Sequence, residues 1–385
     1  MHTLLLLLLL LAAGAAGSFL VWRYRTVLIR HWREPVLRDP VVIIESDDWG
    51  PGPSEQAERL AAIGETLSRY QDASGRYPVM TVGLVLAVPD AAAIRHGDFA
   101  HYQRRTLADS RDAELLTTLR DGVRRGVLAL QLHGLEHLWP PAFMKLARQD
   151  GAVRRWLESD DAATETLPPA VQSRWIDGST LPSPPLSASA IQSAAREEVA
   201  AFARLFGGPP AVAVPPTFIW NAEVERAWAA AGVRFVVTPG RRNTRRNAQG
   251  QPDGVDRWIA NGESGAGGVR YLVRDLYFEP TFGHQAESAL AAIRERVRLG
   301  RPALLETHRF NFLGAAAVFA SSRRELERLL AGLLREFPTV RFMSTEELGE
   351  AYRRGDAELF EQRWTVRMQV WLRRLGILGR LGLKT

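Results

Sequence analysis

Short apolar, β-branched runs recur along this chain, and amphipathic stretches separate them. The runs are Val41–Ser46, Met80–Leu86, Val127–Leu132, Ala211–Val214, Arg234–Thr238, Tyr271–Leu276, Ala303–Glu306 and Val340–Met343. They are apolar at successive positions, not alternate ones, as expected of strands buried on both faces of a parallel sheet. Helical periodicity falls between them, over Ser54–Tyr70, Ala113–Arg124, Ala190–Phe206, Ala222–Ala231, Gln285–Leu299 and Ser322–Phe337. Strand–helix alternation of this kind predicts one α/β domain built on a parallel sheet or barrel. The Pro/Ser-rich stretch Leu181–Ser187 reads as a loop, and the polar, Gly-rich stretch Arg241–Gly268 as a long excursion. No internal repeat and no interdomain linker is visible, so residues 38–350 are expected to form a single body.

The two ends break the pattern. Leu4 to Trp22 is an almost unbroken apolar run, long enough to cross a bilayer as a helix. Ala13-Gly14-Ala15 or Gly14-Ala15-Ala16 offers a small-residue cleavage site. The run nevertheless continues through Phe19, Leu20, Val21 and Trp22, which favours an uncleaved anchor within residues 1–30. Arg23, Arg25, Arg30 and Arg33 follow it, and the positive-inside rule would keep the body cytoplasmic. The tail, residues 351–385, mixes Trp364, Val366, Met368, Val370, Trp371 and Leu372 with Arg363, Arg367, Arg373, Arg374, Arg380 and Lys384. Two readings stand: a basic amphipathic helix on an anionic membrane surface, or a last helix packed on the domain with its Arg face in water.

Composition adds limits. Hydrophobic residues make up 46% and charged residues 24% of the 385, enough for a core and too apolar for a disordered chain. The 49 basic and 43 acidic residues leave a net charge of +6. That favours acidic partners, but no nucleic-acid motif accompanies it and no nucleic-acid partner is expected. There is no cysteine, which excludes disulfides, thiolate metal sites and Cys nucleophiles. Any metal must be held by His and carboxylate.

The polar residues with chemical potential cluster at or just after the carboxyl ends of the runs, the face where parallel α/β folds build active sites. Glu45-Ser46-Asp47-Asp48-Trp49-Gly50 ends the first run. One carboxylate of such a pair can hold a metal while the other serves as base, although a cap or turn is the commoner use of Asp-Asp. His133-Gly134-Leu135-Glu136-His137 ends the third. Two His four apart can present nitrogens to one divalent ion, zinc foremost. The same residues match H-x-x-E-H, the inverzincin peptidase pattern, in which both His and the Glu share a helix. A strand-like run leading into His133, with Gly134 behind it, argues against that helix. His308 ends the run Ala303–Glu306 beside Thr307, where it can donate a proton to a leaving group. Pro215-Pro216 sets a rigid turn after Ala211–Val214, and Phe218 or Trp220 can wall a sugar pocket.

In this order and on these strands, the four elements resemble the polysaccharide deacetylase family of carbohydrate esterases over roughly Val41 to Thr345. The resemblance implies a distorted (β/α) barrel of about seven parallel strands. It implies removal of an acetyl group from an N-acetylated glycan. Asp48, His133 and His137 would hold the metal, most simply zinc; Asp47 would be the base and His308 the acid. Trp49, Pro216, Trp220, Asn221, Glu279 and Arg309 are the expected substrate-side residues. A glycan-processing role would place the domain outside the cytoplasm, against the positive-inside reading. Three departures stand out. Val214 occupies the place of the family's Arg before Pro-Pro, which helps hold the base; Arg309 is the expected substitute. Trp49 follows the Asp pair where the family has Gly, and is expected to reshape the sugar site. The long gap from Asp48 to His133, with His96 and His101 in Pro89–Arg111, is expected to form a substrate loop. A catalytically silent glycan-binding relative is the remaining alternative, motivated by Val214.

Overall fold

The computed structural model describes residues 2–149, 151–159 and 163–380. Its centre is a nine-stranded sheet. The strands are β1 (Val41–Trp49), β2 (Met80–Leu84), β3 (Leu128–Leu132), β4 (Val212–Ala213), β5 (Phe235–Thr238), β6 (Arg270–Val273), β7 (Leu276–Tyr277), β8 (Ala303–His308) and β9 (Arg341–Phe342). In space the order is β6-β5-β4-β3-β2-β1-β8-β7, and β9 pairs with the start of β1. Every pairing in this sheet is parallel. The two ends of the path, β6 and β7, are consecutive pieces of one extended run. The chain pairs with β5 through Val273, then crosses at Arg274-Asp275 to pair with β8 from Leu276. This crossing brings the open ends of the sheet together and turns it into a partial barrel.

Both faces of the sheet are buried, which is why the strands read as continuous apolar runs. Val42, Ile44, Met80, Val82, Leu84 and Leu305 face outward into the main core with the surrounding helices. There Leu60, Ile63 and Leu67 of helix Gln56–Leu67 present one helical stripe to the sheet. Val41, Ile43, Val212, Val214, Val237, Leu272 and Leu304 face inward as a second core, closed by Leu348, Ala351 and Tyr352 of helix Thr345–Arg354. Above that inner core the inward positions turn polar, and the site is built there.

The first long helix, His2–Arg33, contains the apolar run Leu4–Trp22, most of which lies outside the residues whose side chains are described. Among the described residues no helix is long and apolar enough to cross a membrane. The last helix, Trp364–Arg380, packs across the end of the first: Trp371 Nε1 donates to Leu28 O at 3.0 Å, and the Trp32 and Trp371 rings meet edge to face. Arg374, expected on a solvated face, is instead buried. Its guanidinium donates to the carbonyls of His31, Glu34, Pro35, Leu299 and Gly300, tying both terminal helices to the barrel.

Candidate metal centre

Successive strand residues normally point to opposite faces, so Asp47 and Asp48 should diverge. They do not, because the β1–β2 register shifts between Ser46 and Trp49, and Asp48 adopts φ +72°. A left-handed non-Gly residue at a strand end is strained. Here it turns Asp48 toward the histidines while Asp47 keeps its inward direction. His133 Nε2 lies 3.3 Å from Asp48 Oδ1 and 4.0 Å from Asp47 Oδ2, and His137 Nε2 lies 3.7 Å from Asp48 Oδ1.

His133 and His137 reach the same point from a loop. Residues 133–138 are irregular, and Gly134 adopts φ +117°. A Cβ there would stand 2.8 Å from Glu136 O, so glycine is required. His133 Nδ1 lies 3.0 Å from the Val214 carbonyl oxygen. A carbonyl only accepts, so Nδ1 carries the proton and the Nε2 lone pair faces Asp48. The tautomer needed of a metal ligand is thereby set by the backbone of Val214.

Asp48, His133 and His137 are buried, and one potential ligand atom from each lies within 4.8 Å of the others. Asp48 Oδ1 and Asp47 Oδ1 are buried without a hydrogen-bond partner. Asp48 Oδ1, the one that faces both imidazoles, fits a divalent cation, whose charge would satisfy it. Burial also draws the pKa of His137 down to about 4, despite the opposing charge of Asp48, keeping the ring neutral and ready to ligate. Burial opposes ionisation of Asp48, but His133 and His137 outweigh it and hold its carboxyl below the usual range.

Asp47 is held by Arg274, from the crossing between β6 and β7. Arg274 Nη2 donates to Asp47 Oδ2 at 2.5 Å, Nη1 to Glu45 Oε2 at 2.7 Å and Nε to Glu306 Oε2 at 3.2 Å. Phe218, after the Pro-Pro turn, covers the guanidinium at 5.2 Å. Burial works against the Asp47 carboxylate, yet Arg274 and then His133 outweigh it and hold its pKa below the ordinary value. Arg274 therefore supplies the cation that Val214 lacks. Arg309, the expected substitute, is engaged elsewhere: its fork holds Glu165 at 2.6 and 2.9 Å, and Nη1 donates to Gln56 at 3.2 Å.

His308, at the end of β8, pairs in register with Asp47. Its Nδ1 lies 2.5 Å from Glu279 Oε1, and its Nε2 lies 3.8 Å from Glu306 Oε1. Burial disfavours the imidazolium, but the Glu279 hydrogen bond and the charges of Asp48 and Glu306 prevail and raise its pKa to about 10. Glu279 is thus a positioning residue for His308, with Asn311 Nδ2 donating to its second oxygen.

The other expected substrate-side residues are placed differently. Trp49 is fully buried, its Nε1 donating to Ser46 Oγ at 2.8 Å, and shows no face to a sugar. Trp220 is buried as well, bonded to Glu225 at 2.8 Å. Asn221 caps helix Ala222–Ala231, accepting from the Glu223 and Val224 amides. Pro216 is buried behind Gly134 and props the histidine loop. Leu86 N and Ala87 N brace that loop by donating to Gly134 O and Leu135 O, and the excursion Pro89–Arg111 that follows adds Tyr102 Oη donating to Glu136 Oε1 at 3.3 Å.

The peptidase pattern fails on geometry. His133 and His137 share no helix, and Glu136 turns away from them. Arg174 Nη1 donates to Glu136 Oε2 at 2.5 Å, and Arg104 Nε lies 2.8 Å from Oε1. Sequence reasoning missed Arg274, although a lone arginine inside the apolar run Tyr271–Leu276 is the signal that marks it.

No protein-family model matches the chain, and no curated protein matches it significantly. Among solved structures it is similar to a putative polysaccharide deacetylase from Mycobacterium smegmatis, with 12% identity over 86% of this chain and 99% of that one, TM-score 0.41. It is similar to a family 4 carbohydrate esterase from Streptomyces lividans solved in complex with acetate, with 13% identity over 81% of this chain and 96% of that one, TM-score 0.36. A 4-alpha-glucanotransferase from Thermococcus litoralis matches at 10% identity over 81% of this chain but only 40% of its own, TM-score 0.41. The assignment of function rests on the site.

Proposed function

We propose that this protein is a metal-dependent hydrolase that removes N-acetyl or similar acyl groups from a glycan. One observation carries the reading. A buried His/His/Asp set lies between a carboxylate locked by Arg274 and an imidazole locked by Glu279. A divalent ion, zinc by preference, held by Asp48, His133 and His137 would polarise the acyl carbonyl and acidify water.

The chain's own residues do the rest. Asp47, kept ionised by Arg274, takes the proton from the attacking water. Arg274 holds the accepting oxygen in place through an ion pair of 2.5 Å. His308, kept protonated by Glu279, gives its Nε2 proton to the departing nitrogen as the C–N bond breaks. The products are the carboxylate and the free amine of the sugar. A silent, glycan-binding role loses its motive, because Arg274 restores the cation missing at Val214. The decisive experiment combines metal analysis with acetate release from acetylated oligosaccharides. About one equivalent of zinc per chain, lost in His133→Ala, together with turnover lost in Asp47→Asn while metal stays bound, supports the reading. Undiminished turnover in Asp47→Asn sinks the base assignment.

We further propose a membrane location for the domain, with the glycan-processing role above placing it on the extracytoplasmic side. Exposed Phe19, Val21, Trp22, Trp364 and Leu372 alternate with exposed Arg23, Arg25 and Arg373 on the two terminal helices. Aromatic and aliphatic side chains set among arginines suit an anionic interface. Co-sedimentation of the full chain with anionic vesicles tests it, and equal partition with or without vesicles overturns it.

A further inference from the structure

The polar excursion Arg241–Gly268 comes back against the end of helix His2–Arg33, where Arg30 pairs with Glu263 at 3.0 Å. Beside this contact lies a cavity of about 700 Å³ that shares no residue with the metal centre. Five arginines line it: Arg25, Arg30 and Arg33 from the helix, Arg257 and Arg270 from the facing wall. Two carboxylates stand among them. Glu263 is shared by Arg30 and, at 3.7 Å, by Arg257. Glu34 is taken by Arg301 at 2.6 Å and Arg374 at 3.5 Å, neither of which lines this cavity. Among the described residues no carboxylate pairs with Arg25, Arg33 or Arg270, so the cavity keeps an excess of positive charge.

Neutral groups hold these cations in place. Arg25 Nη1 donates to Trp22 O, Arg257 Nη2 to Ser264 O and Arg270 Nη1 to Gly262 O, each at 2.9 Å. A carbonyl orients a guanidinium without cancelling its charge. The facing wall is itself tied down. Gly262 N donates to Tyr271 O at 2.8 Å, Tyr271 N to Glu263 O at 3.0 Å and Gly265 N to Val269 O at 2.7 Å.

The position of the cavity points to its ligand. The apolar run Leu4–Trp22 ends just before Arg25. At 1.5 Å per helical residue, Arg25 to Arg33 lie from about 5 to about 16 Å beyond that end. Trp22 on the helix and Trp258 on the excursion are both exposed, by 59% and 60%, and such rings favour the headgroup level of a bilayer. A phospholipid has the matching layout: acyl chains for the apolar helix, then a phosphate whose oxygens suit guanidinium forks. We propose that this cavity binds the phosphate group of an anionic membrane lipid, between Arg25 and Arg33 on one wall and Arg270 on the other. This rests on the membrane location proposed above and deepens it, because it assigns the anionic preference to one built site and not to scattered charge.

The test is calorimetry on the full chain in a neutral detergent, titrated with dihexanoyl phosphatidylglycerol. Dihexanoyl phosphatidylcholine and inorganic phosphate are the comparison probes. Saturable one-to-one binding of the anionic lipid is expected, about tenfold tighter than either comparison. Arg25→Gln combined with Arg33→Gln should weaken it about thirtyfold, and Arg270→Gln alone about fivefold. The two variants alter opposite walls, so either gives a reading if the other fails to fold, and thermal unfolding checks both. Inorganic phosphate bound as tightly as the lipid overturns the lipid assignment. Absence of saturable lipid binding, or an affinity unmoved by the variants, overturns the site even where the full chain still sediments with anionic vesicles. Binding of the soluble lipid that persists when vesicle sedimentation fails leaves the site standing and removes the membrane location alone.

Discussion

Arg274 and Asp47 stand 227 positions apart in the chain and are joined by a 2.5 Å ion pair between side chains each 1% exposed. The same guanidinium meets Glu45 and Glu306, so one arginine serves three buried carboxylates. Burial raises the pKa of Glu45 and of Glu306, against the pull of Arg274, while Asp47, the carboxylate it grips most closely, is held low. The arginine thus favours the ionised form of Asp47 more than that of its two neighbours.

Replacing that cation should therefore harm both fold and function. Arg274→Met is expected to destabilise the protein by about 3–5 kcal/mol, since it strands buried charge. Arg274→Lys should recover part of the stability but little of the turnover, because an ammonium cannot reproduce the three-way fork. Urea unfolding and acetate-release rates on the two variants separate these effects. Equal turnover in Arg274→Lys and wild type would remove the positioning role.

The pairing of His308 with Glu279 has a pH signature in the metal-free protein. The folded pKa of about 10 lies above the ordinary value of 6.5. The folded state therefore holds this proton more tightly than the unfolded chain. Its contribution to stability is complete below about 6.5 and is lost as pH rises through about 10. Glu279→Gln should lower the His308 midpoint and shift that loss to lower pH, as followed by imidazole NMR and by unfolding across pH 6–11. An unmoved midpoint would show that Glu279 does not hold the imidazolium.

Gly83 faces the base. A Cβ at this position would stand 2.2 Å from Asp47 Oδ1. Gly83→Ala must push the carboxylate off Arg274, and a displacement of that size costs about a hundredfold in turnover. Asp48, His133 and His137 are untouched, so metal content should stay at the wild-type level. Loss of metal along with activity would mean that Gly83 supports the whole loop and not Asp47 alone.

Zinc should stabilise the fold by mass action, since the ligand set exists only when β1 and the histidine loop are assembled. At a hundredfold excess over its Kd the gain is about 2.7 kcal/mol. Thermal unfolding with and without zinc should show the increase in the wild type and none in His137→Ala. A gain of equal size in both proteins would place the bound ion elsewhere.

Much of this architecture was legible in the chain. Strands buried on both faces announce themselves as unbroken apolar runs, and all eight such runs belong to the sheet. The candidate metal set was legible too, because Asp48 stands near the end of β1 and His133 and His137 stand in the loop after β3, and parallel strands bring their carboxyl ends to one rim. What tertiary structure alone decided is which side chains reach that rim. Trp49 and Trp220 have the composition of a sugar pocket but are drawn into the core, where a large ring buries the most apolar area. Arg309 and Arg274 are both arginines near strand ends, and only the crossing of the chain from β5 to β8 aims Arg274 at Asp47. Local sequence specifies strand, turn and the direction a side chain leaves the backbone. The partner it meets 227 positions away depends on how the sheet closes.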